Sequence, residues 1–495
     1  MISFEQKDYL LSLDQGTKGG SMSQIAIMGV NGHATAVDEA ALHHFERDLH
    51  GAMLTRQSPD YQGARKIWNA MIDHYPTLIV QCKETSDVQA TVKLAAKHGL
   101  LISVRSGGHH IAGNSCCHGG VMIDLSGMTM VKLDSQTHTA MVNPGCTLGE
   151  FDAASTAQEM VVPLGINSTT GIAGLTLGGG FGWISRKHGL TIDSLASARL
   201  VTADGELVTA NAGSNPDLYW AIRGGGGNFG IVVSFTFRMK AIESDVLSGF
   251  IAHPFDDAPQ ALRFYREFCA TLPDEISVWA VLRRAPPLPF LPAEWHGKLI
   301  LIFAVCALGD HSQAQAALKP LREYGKPIAD VIGPTPYATW QRIFDPLLTP
   351  GARNYWKSHN FHELSDGAID AMIEGAKHFP SAHSEIIIAQ LGGAVSRIPQ
   401  EETAYPDRAA KFIMNVHGRW GTMEEDRPGI TWARSVFDAV TPFASGGRYV
   451  NFMTGDELDR VSGAYGPGYQ RLQDLKRKWD PNNMFRLNQN IKPTA

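Results

Sequence analysis

Three clusters of glycine constrain this chain more than any other feature. They are GGHHIAGNSCCHGG at 107–120, GIAGLTLGGGFG at 171–182 and RGGGGNFG at 223–230. Glycine has no Cβ, so such runs are poor helix or strand interiors and mark places where backbone must turn sharply or lie close to something else. Three unrelated turns would account for them separately; one ligand shared by all three accounts for them together. The last cluster contains Gly225-x-Gly227-x-x-Gly230, the formal spacing of a dinucleotide fingerprint. That fingerprint requires a helix immediately after it, because the helix N-terminus holds the pyrophosphate. The next residues are IVVSFTFRMK, in which Ile231, Val233, Phe235 and Phe237 alternate with other residues, the period of a strand. A Rossmann unit is therefore rejected, and the glycines are read as admitting a flat or phosphorylated ligand.

The rest of the composition excludes several classes. The chain has 495 residues with 43 Lys+Arg against 49 Asp+Glu, a net charge of −6, and no basic run. That argues against a nucleic-acid partner. No apolar stretch is long enough to span a membrane. The first residues, MISFEQKDYLLSLDQG, lack the basic and apolar segments of a secretory signal. The six cysteines, Cys82, Cys116, Cys117, Cys146, Cys269 and Cys306, are too sparse for a disulfide framework, which points to buried thiols in a reducing, cytoplasmic setting. No metal is expected: the adjacent pairs Cys116-Cys117 and His109-His110 are poor chelators, and HExxH is absent. A zinc hydrolase using His109, His110 and Cys116 is the rival reading of that loop. G-x-S-x-G and Walker A sequences are also absent.

Local patterns divide the chain. Residues 1–50 have weak periodicity and read as an arm. TLIVQC at 77–82 and LLISVRS at 100–106 read as strands flanking a helix, with Ser86 and Gln89 at capping-box spacing and Gly99 as its end. GVMIDLSGM, TAMVNPG and RLVTADGELVTA read as short strands, the last a hairpin turning at Asp204-Gly205, and a helix is expected from about 147 to 158. From about 245 the character changes. ISVWAVLRR, KLILIFAVCAL, EIIIAQLGG and KFIMNVHGRW alternate with the helical SQAQAALKPLREY and DGAIDAMIEGAKHF, predicting an α+β unit with an antiparallel sheet. The tail is a helix followed by a turn at Asp480-Pro481-Asn482-Asn483.

The order of motifs, VRSGGHHIAG, VNPGCTLGEF, TGIAGLTLGGGFG, DLYWAIRGGGGNFGIV and DPNNMFRLNQNI, resembles the FAD-linked oxidases of the vanillyl-alcohol oxidase superfamily, in the berberine-bridge-enzyme-like branch. The resemblance spans roughly residues 50–495 and is tighter in the FAD-binding motifs than in the substrate domain. It implies an α+β chain: a two-subdomain, PCMH-type FAD-binding domain at 51–245, a substrate domain at 246–450 whose antiparallel sheet is flanked by helices, and a segment at 451–495 returning to the FAD domain. It implies FAD contacts from Arg105, Ser106, Gly107, Gly108, His109, His110 and Ser115, from Gly145, from Thr170, Gly171, Gly174, Gly178, Gly179, Gly180 and Gly182, from Gly230 and Val232, and from Asn488 and Asn490. Successive N–H groups in the 105–109 turn suit a pyrophosphate nest.

His109 would carry the covalent bond to the flavin 8α-methyl. Relatives that make a second bond use a Cys at the position that falls here on Asn167, so FAD is expected to be covalent through His109 only. The family's Y-V-N-Y segment reads Tyr449-Val450-Asn451-Phe452, so its second, proton-carrying aromatic is missing; a Glu base of plant relatives falls on Arg397, which stays protonated at neutral pH. Tyr449, Tyr465, Tyr355 and His417 are the remaining candidate bases, and Trp279, Tyr355, Trp356 and Trp420 point to an aromatic pocket. The implied activity is hydride removal by flavin N5 from a small-molecule alcohol, sugar or aromatic secondary metabolite, with O2 reduced to H2O2. The alternatives are a dehydrogenase that reacts poorly with oxygen, a specialised biosynthetic flavoenzyme, and a flavin-binding protein without catalysis.

Overall fold

A computed structural model describes residues 23–494. Residues 1–22, the start of the expected arm and the stretch read for a targeting signal, lie outside the described residues. The described part of the arm is folded. Strands β1 (Gln24–Met28) and β2 (Ala34–Asp38) form an antiparallel hairpin, and α1 (Glu39–Arg47) comes next, its first turn capped by the Asp38 carboxylate accepting the Ala40 N–H. Ile27, Val37, Leu42 and Phe45 enter the core of the next unit.

That unit holds β3 (Ala52–Leu54), β4 (Leu78–Gln81), α2 (Thr85–His98), β5 (Ile102–Arg105) and β6 (Val121–Asp124). Its sheet runs β3-β4-β6-β5, with β4, β6 and β5 mutually parallel. Helix α2 does not start at the expected Ser86/Gln89 box. Asp87 reaches back to accept the N–H groups of Lys83 and Glu84, while Gln89 donates to the Gly205 carbonyl in a neighbouring hairpin. A carboxylate in the first turn satisfies the free N–H groups better than a neutral side chain does. Gly99 ends the helix in the left-handed region.

A second unit contains β7 (Val131–Asp134), β8 (Thr139–Val142), α3 (Leu148–Thr156), α4 (Ile172–Leu177), β9 (Leu195–Val201), β10 (Leu207–Asn211) and β11 (Ile231–Arg238). Its antiparallel sheet runs β10-β9-β11-β8-β7. Thr147 and Glu150 form the capping box of α3. Gly178–Gly180 lie just past the end of α4, and RGGGGNFG runs through one 3₁₀ turn (Gly226–Asn228) directly into β11, as the strand periodicity requires.

The third unit is an eight-stranded antiparallel sheet. Its long strands are β12 (Asp245–Pro254), β13 (Ile276–Arg284), β14 (Leu299–Ala307), β15 (Arg353–Phe361), β16 (Glu385–Gln390) and β17 (Phe412–Trp420), in the order β12-β14-β13-β16-β17-β15. Side chains alternate across it. One face, including Val278, Phe303, Ile388 and Met414, packs on helices α5 (Ala258–Thr271), α6 (His311–Arg322), α7 (Asp366–Ala376) and α8 (Asp426–Val440). The other, including Trp279, Ile302, Ala389 and Ile413, faces Phe181, Trp183 and Tyr449 of the glycine-rich side.

The tail returns to the second unit. Val450, Tyr465, Leu472 and Ile491 join its core, with α9 (Tyr469–Trp479) across it. Its turn is pinned by a fully buried ion pair, Lys476 to Asp480 at 2.7 Å. Asp480 accepts the N–H groups of Met484 and Phe485, and Lys476 donates to the carbonyls of Asn228 and Phe485.

Candidate active site

The three glycine clusters, the tail and the eight-stranded sheet close around one cavity of about 290 Å³. On the glycine side its wall is Ser106 to His110, Asn114, Ser115, Asn167, Thr170, Gly171, Gly174, Gly226, Gly227, Gly230, Val232, Asn488 and Gln489. Gly107 and Gly171 lie back to back: a Cβ on Gly107 would sit 2.3 Å from the Gly171 nitrogen, and one on Gly171 2.2 Å from the Gly107 nitrogen. Only glycine at both positions lets the two loops share a wall.

His109 is held by that contact. Its Nε2 lies 2.9 Å from Thr169 Oγ1, its Nδ1 lies 3.4 Å from Thr170 Oγ1, and its ring stacks on Trp68 at 5.0 Å. Burial pushes the imidazole's pKa down to about 3. It is a neutral imidazole at ordinary pH. Thr169 Oγ1 also donates to Asn167 Oδ1 at 2.7 Å, so Asn167 and His109 are two hydrogen bonds apart on the same wall. His110 Nδ1 and Ser115 Oγ are buried on the wall with no hydrogen-bond partner. Buried polar groups are ordinarily satisfied, so this wall fits a ligand that supplies partners.

The sheet-side wall is Trp279 of β13, Trp356 of β15, Ile387 and Ala389 of β16, and Ile413, Asn415 and His417 of β17, joined by Phe181, Tyr449 and Phe452. Arg283, Glu385, His417 and Trp356 are register partners in a row across β13, β16, β17 and β15. Arg283 donates to Glu385 at 2.7 Å, and His417 Nδ1 is 3.2 Å from the other Glu385 oxygen. Burial alone would raise the Glu385 carboxyl, but Arg283 and His417 outweigh it and hold it below the usual range. For His417, burial prevails over the Glu385 charge and lowers its pKa. A neutral His417 donating Nδ1–H to Glu385 keeps a lone pair on Nε2, and that atom is buried on the wall without a partner.

Tyr449 also lines the cavity. Its oxygen accepts N–H groups from Gly180 at 3.1 Å and Asn451 at 2.9 Å. Burial pushes its pKa up to about 12 against those two bonds, so it retains its proton. Tyr465 reaches the wall, but its hydroxyl is tied to the carbonyls of Gly225 and Gln489.

Other expected site residues fall elsewhere. Tyr355 and Trp420 lie off the cavity, because strand alternation turns them to the helix-covered face; the Tyr355 hydroxyl donates to Asp456 at 2.6 Å and receives Arg434. The Arg105 guanidinium lies behind the loop, bound to Asp124 and the Ala64 carbonyl. Gly145, Gly178, Gly179, Gly180 and Gly182 form a layer behind the wall, each with neighbouring protein atoms where a Cβ would stand. Asn490 is also off the wall, which the neighbouring Asn488 and Gln489 form instead. Arg397 is exposed and paired with Asp274, so its identity says nothing about a base in the cavity. Glu385 was missed in the sequence, where it is one residue of an apolar strand; its role arises only from the register of three strands.

Among the described residues there is no cluster of His, Cys, Asp or Glu that could hold a metal, and no helix is long and apolar enough to cross a membrane. Residues 76–211 match the FAD binding domain family, and residues 448–492 match the family described as berberine and berberine like. The chain is 30% identical over 455 residues to the FAD-linked oxidoreductase YgaK of Bacillus subtilis, covering 90% of this chain and 97% of that one. The chain belongs to the berberine-bridge-like family of FAD-linked oxidoreductases. Other berberine-bridge-like relatives have named activities. The (R)-6-hydroxynicotine oxidase of Paenarthrobacter nicotinovorans is 26% identical over 477 residues, covering 90% of this chain and 97% of the relative. The chitooligosaccharide oxidase of Gibberella zeae is 27% identical over 508 residues, covering 95% and 98%. The fold is that of the family: Physcomitrella patens BBE-like 1 superposes with a TM-score of 0.82 at 25% identity, covering 92% of this chain and 99% of its own. This berberine-bridge-like chain is thus an FAD-linked oxidoreductase, and the glycine wall with its unpaired His110 and Ser115 atoms is where its residues fit the cofactor.

Proposed function

We propose that this chain is an oxidase of a small-molecule alcohol or amine, in which FAD is joined to the protein by one covalent bond, through His109, and His417 is the base. The observation that carries the reading is His417 Nε2: buried and unpaired on a residue that lines the cavity, with Nδ1 held by a carboxylate. A base oriented by a third group in this way is a recurring catalytic arrangement. Bound FAD supplies hydride acceptance at N5 and reoxidation by dioxygen to hydrogen peroxide. His417 takes the hydroxyl or amine proton of the substrate at Nε2, and Glu385 stabilises the imidazolium that results. Arg283 keeps Glu385 ionised for that task. Tyr449 donates a hydrogen bond into the cavity and holds its proton throughout. The Trp, Phe and Ile side chains of the sheet wall exclude water from the reacting atoms.

His109 suits attachment because burial keeps it unprotonated, with a lone pair to offer. Asn167 has no thiol, so a second bond at that position is not formed. All six cysteines are buried and unpaired, which supports a reducing, cytoplasmic location, and a role in secondary metabolism accords with the substrate classes above. Acid precipitation of the purified protein tests the reading: yellow colour retained in the pellet supports covalent flavin, and colour released to the supernatant overturns the His109 bond. Peroxide formation with substrate in air separates an oxidase from a dehydrogenase.

A further inference from the structure

A chain of hydrogen bonds from Asn167 through Thr169 to His109 fixes which imidazole nitrogen carries the proton; its consequence for the flavin rests on the covalent attachment proposed above. Asn167 is oriented at both ends. Its Oδ1 accepts the Thr169 backbone N–H at 3.1 Å, and its Nδ2 donates to the Leu348 carbonyl at 3.3 Å. A backbone N–H can only donate, so the atom facing Thr169 is the amide oxygen. The Thr169 hydroxyl lies 2.7 Å from that same oxygen. It has one proton, and Asn167 Oδ1, which has none, receives it. Were that proton turned to His109 instead, two oxygens would face each other bare at 2.7 Å. Toward His109 Nε2, at 2.9 Å, Thr169 Oγ1 therefore only accepts. Nε2 carries the N–H, and in a neutral imidazole the lone pair is then on Nδ1. Near Nδ1 stands Thr170 Oγ1 at 3.4 Å, the far limit of a hydrogen bond.

The plane of the ring is set as well. Trp68 stacks on the imidazole at 5.0 Å with 23° between the planes. The Trp68 backbone N–H donates to the Gly108 carbonyl at 3.1 Å, and its Nε1–H donates at 3.2 Å to the same Leu348 carbonyl that receives Asn167. Leu348 lies on the chain leading into β15. One carbonyl of the sheet unit thus anchors both the stacking ring and the orienting amide.

We propose that Asn167 and Thr169 are positioning residues for flavin attachment: they hold the His109 proton on Nε2, so that Nδ1 alone has a lone pair for the 8α-carbon. The new bond joins Nδ1 to that carbon. One methyl C–H bond and the imidazole N–H break. The two hydrogens, with two electrons, pass by way of the flavin ring to dioxygen, the oxidant, giving H2O2. A His109 free to exchange tautomers would offer its lone pair at the wrong atom for part of the time, so the bond would form slowly or at either nitrogen.

The test uses the full-length protein purified with its flavin. Flavin in the acid pellet and in the supernatant is measured over a timed incubation in air, and the histidyl-flavin released by digestion is identified as the Nδ1 or the Nε2 isomer. The unaltered protein is expected to hold its flavin in the pellet as the Nδ1 isomer alone. Thr169→Val keeps the side-chain shape and removes the hydroxyl. It is expected to bind the same total flavin, attach it about 100-fold more slowly than Thr169→Ser, and give both isomers. Asn167→Ala, which frees the Thr169 proton, is expected to attach flavin about tenfold more slowly. An unchanged rate and isomer in Thr169→Val and Asn167→Ala overturns the proposal. So does total flavin that falls in step with covalent flavin, the mark of a structural role alone, and so does an unaltered protein joined through Nε2. Where Thr169→Val does not fold, Asn167→Ala decides. An absence of acid-stable flavin in the unaltered protein overturns the His109 bond instead. Nitrogen NMR of the free imidazole then judges the hydrogen-bond chain: a proton on Nε2 supports it, and a proton on Nδ1 overturns it.

Discussion

The cavity has two walls built by different means. On the glycine side, contiguous runs of sequence make the surface: Ser106 to His110 is one loop, and its close contact with Gly171 depends on two missing Cβ atoms. On the sheet side no two lining residues are adjacent in sequence; Trp279, Trp356, Ile387, Asn415 and His417 arrive from four strands by alternation and register. The first wall is fixed by local backbone geometry and lies largely within the stretch that matches the FAD binding domain family. The second is assembled from single residues of separate strands, so each contributes to the wall independently of its sequence neighbours.

Variants on each wall should separate these roles. The largest effect is expected at His109. His109→Ala should lose all acid-stable flavin, while His110→Ala keeps it, as read by colour in an acid pellet. A tryptic flavopeptide from the unaltered protein should contain residues around 109 and none around 167; a cross-linked pair would break the single-bond reading. On the opposite wall, His417→Ala should retain its flavin yet reduce it roughly a hundred- to ten-thousand-fold more slowly in stopped-flow measurements. Slow reduction together with lost flavin would mean that the two walls are not separable.

The tail that completes the glycine wall gives a stability test. Lys476→Met leaves Asp480 buried without its cation and should destabilise the protein by about 3–5 kcal/mol in urea unfolding. The smallest effect is expected behind the base. Glu385→Gln should slow reduction about tenfold by freeing the His417 tautomer. It should also move the pH profile. His417 acts unprotonated, so kcat/KM falls as pH drops through its pKa; burial places that limb below the ordinary value of about 6.5. Removing the Glu385 charge, which favours the protonated form, should shift the limb to still lower pH. A shift upward would show that Glu385 does not face His417 in solution.

Legibility divided along the same line. The strand after RGGGGNFG, the end of α2 at Gly99 and the hairpin at Gly205 are set by neighbouring residues, and each is as the pattern predicts. Strand β15, by contrast, has no recognisable signal in RNYWKSHNF, since several of its polar residues find partners distant in sequence. Asn354, for example, pairs with Asn69. Tyr355 and Trp356 looked equivalent as pocket aromatics, and one step of strand alternation sent them to opposite faces. In the second glycine cluster Gly171 and Gly174 line the cavity, whereas Gly178, Gly179, Gly180 and Gly182 are close-packing positions off the wall.

The sequence by itself determined the family and the glycine loops that line the cavity, because close approach of backbone demands glycine at fixed local spacing. The tertiary structure alone brought His417 to the cavity wall and gave it a carboxylate partner. Arg283, Glu385 and His417 are more than thirty residues apart pairwise in sequence and become a chain of hydrogen bonds only when three antiparallel strands set their register.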